Sequence, residues 1–186
     1  MKNISIEELQ SHVGASPDGH WGPLSIAACQ DHLRKLIPYP NPWPKSDESS
    51  LRAFYGKAGD ESQLVNLDVS GFGVRYEGQE IKTIRGHGKL ASSLGRIIKQ
   101  LSIHHPEILA DYNGCYNFRK MRGGSSYSLH ARGAAIDFMA GENGNKTSWP
   151  SKATMPITAM EIFARDGWLS AGAFWGRDAM HFQATR

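Results

Sequence analysis

Pro38-Tyr39-Pro40-Asn41-Pro42-Trp43-Pro44 sets four prolines at alternate positions in a chain of 186 residues. Proline fixes φ near about −65° and carries no backbone N–H, so this stretch can neither continue a helix nor pair in a central strand. It is expected to be extended and polyproline-II-like, a semi-rigid spacer. The polar run from Lys45 to Ser50 follows it. The chain therefore divides into a helical segment at 1–37, a Pro-rich linker at 38–50 and a main domain at 51–186.

The first segment carries clear helix punctuation. Ser5-Ile6-Glu7-Glu8 has the S-x-x-E form of a capping box and should open a short helix. Asp18-Gly19 marks a turn, and Gly22-Pro23 starts a second helix with proline near its first position. Leu24, Ala27, Ala28, Leu33, Leu36 and Ile37 are expected to form its apolar side.

The main domain reads as mixed α and β, without an internal repeat. Leu64–Val69 and Ile81–Ile84 alternate like short strands. Leu90, Leu94, Ile97, Ile98 and Leu101 recur at helical spacing. Cys115–Arg119, Ala134–Met139 and Met180–Gln183 are strand-like. Met155–Arg165 predicts a helix, with Thr154 as cap, Pro156 in the first turn and Gly167 past the end.

Composition excludes several classes. The apolar fraction of 40% and charged fraction of 21% are ordinary for a globular chain. A net charge of +3 suits an anionic surface such as a cell wall and is too weak to argue for nucleic acid. Cys29 and Cys115 are the only cysteines, which excludes a disulfide scaffold or a multi-cysteine metal site; both read as buried or free thiols. No apolar run approaches the roughly 20 residues of a membrane span. The N-terminus meets Glu7 and Glu8 without an apolar stretch, so no secretory signal is expected. The protein is then made in a cytoplasm and needs another agent to release it.

Two segments concentrate metal-competent groups: Ser128-Leu129-His130-Ala131-Arg132-Gly133-Ala134-Ala135-Ile136-Asp137 and Asp178-Ala179-Met180-His181. His130, Asp137 and His181 could supply the three protein ligands of a catalytic zinc. A straight strand would hold residues 130 and 137 about 23 Å apart, so the chain must bend between them. Gly133 is placed to make that bend. On spacing alone, H-x6-D is a weak pattern, and Asp178 with His181 equally suits a plain ion pair. The helical HExxH arrangement is absent. Gly123-Gly124-Ser125-Ser126 reads as a flexible loop or a substrate-side lid, and His87, His104 and His105 as surface or helix-end residues.

Cys115-Tyr116-Asn117-Phe118-Arg119, then Ser128-x-His130-x-x-Gly133-x-Ala135-Ile136-Asp137, then Trp175-Gly176-x-Asp178-x-Met180-His181-Phe182, resembles the VanY-like zinc D-Ala-D-Ala carboxypeptidase and endopeptidase family. That family includes bacteriophage L-alanyl-D-glutamate endolysins. The resemblance covers roughly residues 51–186. It implies an α+β fold with a small, mainly antiparallel sheet flanked by helices, hedgehog-like. It implies one Zn²⁺ held by His130, Asp137 and His181, Asp178 as general base, and Arg119 as the group that polarises the scissile carbonyl and stabilises the oxyanion. Arg122 and Arg132 are rivals to Arg119. Ser128 matches a motif position near the metal and, with Trp175, is assigned to the substrate side. Two neutral imidazoles and one carboxylate would leave such a centre at net +1.

Leu9-Gln10 followed by Asp18-Gly19-x-Trp21-Gly22-Pro23-x-Ser25-x-x-Ala28 resembles the opening of the three-helix peptidoglycan-binding module. The segment is too short for three helices, and reads either as a hairpin docked on the main domain or as a truncated wall-binding element. The combined expectation is a monomeric, phage-type endolysin. It would cut the stem peptide of bacterial peptidoglycan at the L-alanyl-D-glutamate bond, with no nucleic-acid partner and no membrane insertion. Alternatives are a D-alanyl-D-alanine carboxypeptidase, a non-catalytic wall-binding protein and an intracellular peptidase acting on free muropeptides.

Overall fold

The computed structural model describes residues 4–121 and 123–186. Helices α1 (Ile6–Val13), α2 (Pro23–Leu36) and α3 (Glu48–Tyr55) precede strands β1 (Leu64–Asp68), β2 (Arg75–Tyr76), β3 (Gln79–Glu80) and β4 (Thr83–His87). There follow α4 (Ala91–His104), α5 (Pro106–Leu109), β5 (Tyr112–Gly114), β6 (Ala135–Phe138) and α6 (Ala140–Asn143). The chain ends with α7 (Ile157–Arg165), β7 (Leu169–Ser170), α8 (Ala171–Trp175) and β8 (His181–Gln183). β1 pairs with β4, β2 with β3, and a four-stranded sheet runs β5-β6-β8-β7. Every one of these pairings is antiparallel, so the fold is α+β with small antiparallel sheets flanked by helices.

The first two helices form where their punctuation places them. Ser5 Oγ accepts from Glu8 N at 3.1 Å while Glu8 Oε2 accepts from Ser5 N at 2.7 Å, completing the capping box. Gly22 caps α2 and Pro23 occupies its first turn. The turn between the helices is wired to one buried side chain, Gln10. Its amide NH₂ lies 2.7 Å from Asp18 Oδ1, 3.0 Å from His20 O and 2.9 Å from Ser25 Oγ, and its Oε1 accepts from Gly19 N at 2.9 Å.

That hub sets the rotation of α2. Its buried side is Ser25, Cys29 and Leu33, with Ala28, His32 and Leu36 beside them. Leu24 is 86% exposed and Ala27 is also on the solvent side, against the expected apolar face. The helix turns its polar Ser25 inward because Gln10 needs a partner there.

The Pro-rich stretch has no regular structure, as expected, but it is fastened to the body. Trp43 is buried and donates its indole N–H to Asp166 O at 2.8 Å. Asn41 Nδ2 donates to Gly167 O at 3.0 Å, and Arg186 N donates to Pro44 O at 2.9 Å. Helix α3 begins inside the polar run at 45–50, where Asp47 Oδ1 accepts from Ser50 N at 2.9 Å. Two further boundaries differ from expectation. The strand near 115–119 ends at Gly114, and α7 starts at Ile157 with Pro156 as its cap residue.

Helices α1 and α2 lie on the body of the protein. Trp21 meets Trp149 edge-on at 5.6 Å, and Leu9, Val13, Cys29 and Leu33 share one continuous apolar core with α4, α7 and the four-stranded sheet. Among the described residues, no helix is long and apolar enough to cross a membrane. Gln10→Leu keeps the side chain's bulk but strands its turn partners without a hydrogen-bonding group. It should lower unfolding stability by about 2–3 kcal/mol, read as a lower denaturant midpoint with an unchanged slope.

Candidate metal centre

Three local structures bring the site together. β6 and β8 pair so that Asp137 faces His181 directly across the ladder. Opposed residues in a ladder project to the same face of the sheet. His130 arrives from a 3₁₀ turn, Leu129–Arg132, whose N-cap Ser128 accepts from His130 N at 3.3 Å. Gly133 closes that turn in the left-handed region, φ 62°, and sends the chain into β6. A Cβ there would lie 2.8 Å from His87 N and 2.9 Å from Leu64 Cδ2. Only glycine satisfies both the backbone angle and this close approach. The bend required by the spacing of His130 and Asp137 is therefore built on Gly133.

The three side chains are buried and converge. His130 Nε2 lies 3.2 Å from His181 Nδ1 and 3.2 Å from Asp137 Oδ1, and His181 Nδ1 lies 2.9 Å from the same oxygen. The outer ring nitrogens are committed elsewhere. His130 Nδ1 donates to Cys115 O at 2.7 Å, and His181 Nε2 donates to Gln183 Oε1 at 3.2 Å. Gln183 Nε2 in turn donates to Thr185 Oγ1 at 2.6 Å, which fixes the amide orientation. In the neutral tautomers set by these bonds, two imidazole lone pairs and a carboxylate oxygen all point at one another. Three acceptors facing a common centre call for a cation. Ligands at 2.0–2.1 Å in a tetrahedral zinc site stand ~3.3 Å apart, close to the separations here. The donor set therefore fits a zinc ion.

The electrostatics point the same way. Burial pushes the Asp137 pKa up, but hydrogen bonds from His130 and His181 and their charge outweigh it, and the carboxyl is held below its ordinary range. Burial pushes His181 down, but the Asp137 bond and charge and the Asp178 charge outweigh it and raise the ring's pKa. The cluster thus attracts positive charge whether it comes as a proton or a metal.

A cleft of about 280 Å³ opens over this group, lined in part by His130, Asp137, Arg119 and Tyr116. Arg119 is half-buried there, and its Nη1 donates to Lys120 O at 3.4 Å. Arg132 is not in the cleft. Its guanidinium is buried against α3, with Nε on Gly56 O at 3.1 Å and Nη2 on Glu48 at 2.5 Å. Arg122 lies outside the described residues. Asp178 is half-buried in the loop before β8, at a left-handed φ of 58°, and its carbonyl accepts from His181 N at 2.9 Å. Trp175 is 48% exposed and stacks on the His181 ring at 5.8 Å. Ser128 is buried beneath the turn that it caps.

Other residues take structural positions. Both cysteines are buried thiols; burial first, then the Asp137 charge, pushes Cys115 up to about 12. His87 is buried, against expectation, and its Nε2 donates to Tyr55 O at 3.0 Å. Gly123–Ser126 lie in a loop closed by the Lys120–Tyr127 bridge. Sequence reasoning missed Gln183 and Thr185. Their signal was period two: both follow His181 at two-residue steps. Gln183→Leu should leave the fold intact and weaken zinc binding roughly 10–100-fold, since the His181 ring loses the bond that orients it; titration against a competing chelator measures this.

Residues 122–184, about a third of the chain, match a family model described as D-alanyl-D-alanine carboxypeptidase. The match contains His130, Asp137, Asp178 and His181 and begins just after Arg119. No curated protein and no solved structure matches the chain. The C-terminal part of the chain is thus similar to a D-alanyl-D-alanine carboxypeptidase family, and this similarity supports a peptidase acting on peptidoglycan.

Proposed function

We propose that this protein is a zinc-dependent peptidoglycan peptidase that cuts the stem peptide at the L-alanyl-D-glutamate bond, and that it serves as a phage-type endolysin. The observation that carries the reading is the convergence of His130, Asp137 and His181, the first two of which line a cleft that Arg119 also lines. The match over 122–184 supports the peptidase chemistry.

A zinc ion held by His130, Asp137 and His181 would supply a Lewis acid and lower the pKa of a water ligand to about 7. Asp178 accepts a proton from the attacking water and passes it to the leaving amine. The Arg119 guanidinium, always charged, holds the oxygen of the scissile carbonyl as negative charge develops on it. One such donor contributes roughly 3–4 kcal/mol. The exposed face of Trp175, stacked on His181, offers the peptide a flat surface beside the cluster. Cys115 O and Gln183 keep the two imidazoles turned so that their free nitrogens face the centre.

The endopeptidase assignment rests on the stem-peptide chemistry, the mildly basic charge and the helical hairpin at 6–36, whose Gln10-centred turn resembles a wall-binding element. The description attached to the matched model favours a second reading, a D-alanyl-D-alanine carboxypeptidase. Mass spectrometry of purified sacculi digested with and without a chelator separates them. New D-glutamyl amino termini that vanish with chelator are expected; release of free D-alanine alone would move the assignment to the carboxypeptidase.

The base assignment has its own test. Asparagine tolerates the left-handed backbone that Asp178 adopts. Asp178→Asn should therefore keep the fold and the zinc content while kcat falls by about 10²–10⁴. Undiminished turnover in that variant would remove Asp178 from the mechanism.

A further inference from the structure

A second group of metal-competent side chains lies outside the cleft, where the N-terminal hairpin meets the body. His12 is in the last turn of α1, His32 is in α2, and Glu161 is in α7. Glu161 Oε1 lies 2.6 Å from His12 Nε2 and 2.6 Å from His32 Nε2. The two imidazoles meet edge-on with centroids 5.3 Å apart. The ligand atoms of all three residues fall within 4.8 Å of one another, as they do at His130, Asp137 and His181.

We propose that His12, His32 and Glu161 form a second divalent-metal site, suited to zinc, that clasps the N-terminal helices to the body of the protein. Two imidazoles and a carboxylate are an ordinary zinc donor set. Both rings aim the same nitrogen, Nε2, at one oxygen, although they come from different helices and lie far from Glu161 in sequence. Neither Nδ1 makes a hydrogen bond among the described residues, so no outer bond demands a proton on Nε2 and both lone pairs are available. Opening the 2.6 Å separations to the ~3.3 Å of a tetrahedral site needs movements of well under an ångström per side chain. Glu161 is 14% exposed while His12 and His32 are 38% and 26% exposed. The carboxylate is therefore held from below, and a fourth position faces solvent for a water ligand.

The position gives the site a structural role. Among the described residues, α2 is also tied to the body by the Gln30 amide bonds to Ala173 O and Phe174 O, at 3.3 and 3.4 Å, and by the Arg34 guanidinium over the Phe174 ring at 5.3 Å. A metal bound only in the folded state stabilises that state by mass action. It would fasten α1, α2 and α7 at a single point. The proposal does not depend on the peptidase reading, because none of its three residues lines the cleft.

The test is zinc stoichiometry on the full chain. Protein dialysed against buffered low-micromolar zinc is analysed by elemental mass spectrometry as wild type, His12→Ala, Glu161→Gln, His181→Ala and the His12→Ala/His181→Ala double variant. Two ions per chain are expected in wild type, one in each single variant and none in the double. The melting temperature of His181→Ala should still rise with zinc, and that rise should vanish in the double variant. This comparison keeps the proposal testable even if Glu161→Gln folds poorly. One ion in wild type and none in His181→Ala would overturn it, leaving a hydrogen-bonded clasp. A single ion lost in His12→Ala but kept in His181→Ala would support this site and overturn the zinc assignment at the cleft.

Discussion

The register between β6 and β8 is the constraint on which the site depends. The pairing sets Asp137 opposite His181 on one face and Ile136 opposite Phe182 on the other. Ile136, Phe138 and Phe182 are fully buried, and Phe182 stacks on Phe163 at 3.8 Å. Because side chains alternate along a strand, a slip of one residue between β6 and β8 would place Asp137 and His181 on opposite faces. It would also drive an ionised carboxylate or an imidazole into the apolar side, at a cost of several kcal/mol. The apolar face of the sheet thereby fixes the geometry of the polar face. The His130, Asp137 and His181 cluster is positioned in part by apolar residues on the far face of the sheet.

That geometry is costly for the folded chain by itself. His130, Asp137 and His181 are all buried, and their inward atoms are acceptors held 2.9–3.2 Å apart. Such a cluster is satisfied by protons or by a metal ion. The outer bonds to Cys115 O and Gln183 Oε1 prevent the rings from turning away to find other partners. Any metal bound there would be linked to folding, since the fold creates the convergence and a cation would relieve it. The Asp137 carboxylate attracts protons as well as cations, and its bond and charge raise the pKa of the His181 ring despite the burial that pushes it down.

Much of this organisation was legible in the sequence, and the exceptions have physical causes. The capping box at Ser5, the proline at the start of α2 and the periodicity of α4 are local signals, and each appears where its residues lie. The bend at Gly133 was legible because arithmetic demanded it: His130 and Asp137 cannot share a centre along a straight strand. The inward face of α2 was not, because Ser25 is buried by a hydrogen bond to Gln10 rather than by apolarity. The Pro-rich stretch was read as a polyproline-II-like spacer, and its attachment was hidden. Trp43 and Asn41 dock on carbonyls more than 120 residues away, which no local pattern reveals. Arg132 stood as a rival to Arg119, with a solvated loop charge as its plainer reading. Its burial against Gly56 and Glu48 follows from the path of the 3₁₀ turn, which turns it toward α3 and away from the cleft.

The attachment of the N-terminal helices bears on the cleft as well as on stability. Gln30 on α2 donates to the carbonyls of Ala173 and Phe174, the two residues before Trp175 in α8. Trp175 is the last residue of that short helix and stacks on His181. Its ring is exposed, so little packing on the solvent side holds it in place. What fixes it is the backbone of α8, and α2 is one of the elements that fixes α8. A helix of five residues has too few internal hydrogen bonds to keep its shape alone. The hairpin at 6–36 therefore buttresses the Trp175 ring stacked on His181, through two hydrogen bonds and the helix they grip. The docking of the hairpin on α8 ties it mechanically to the ring that covers His181.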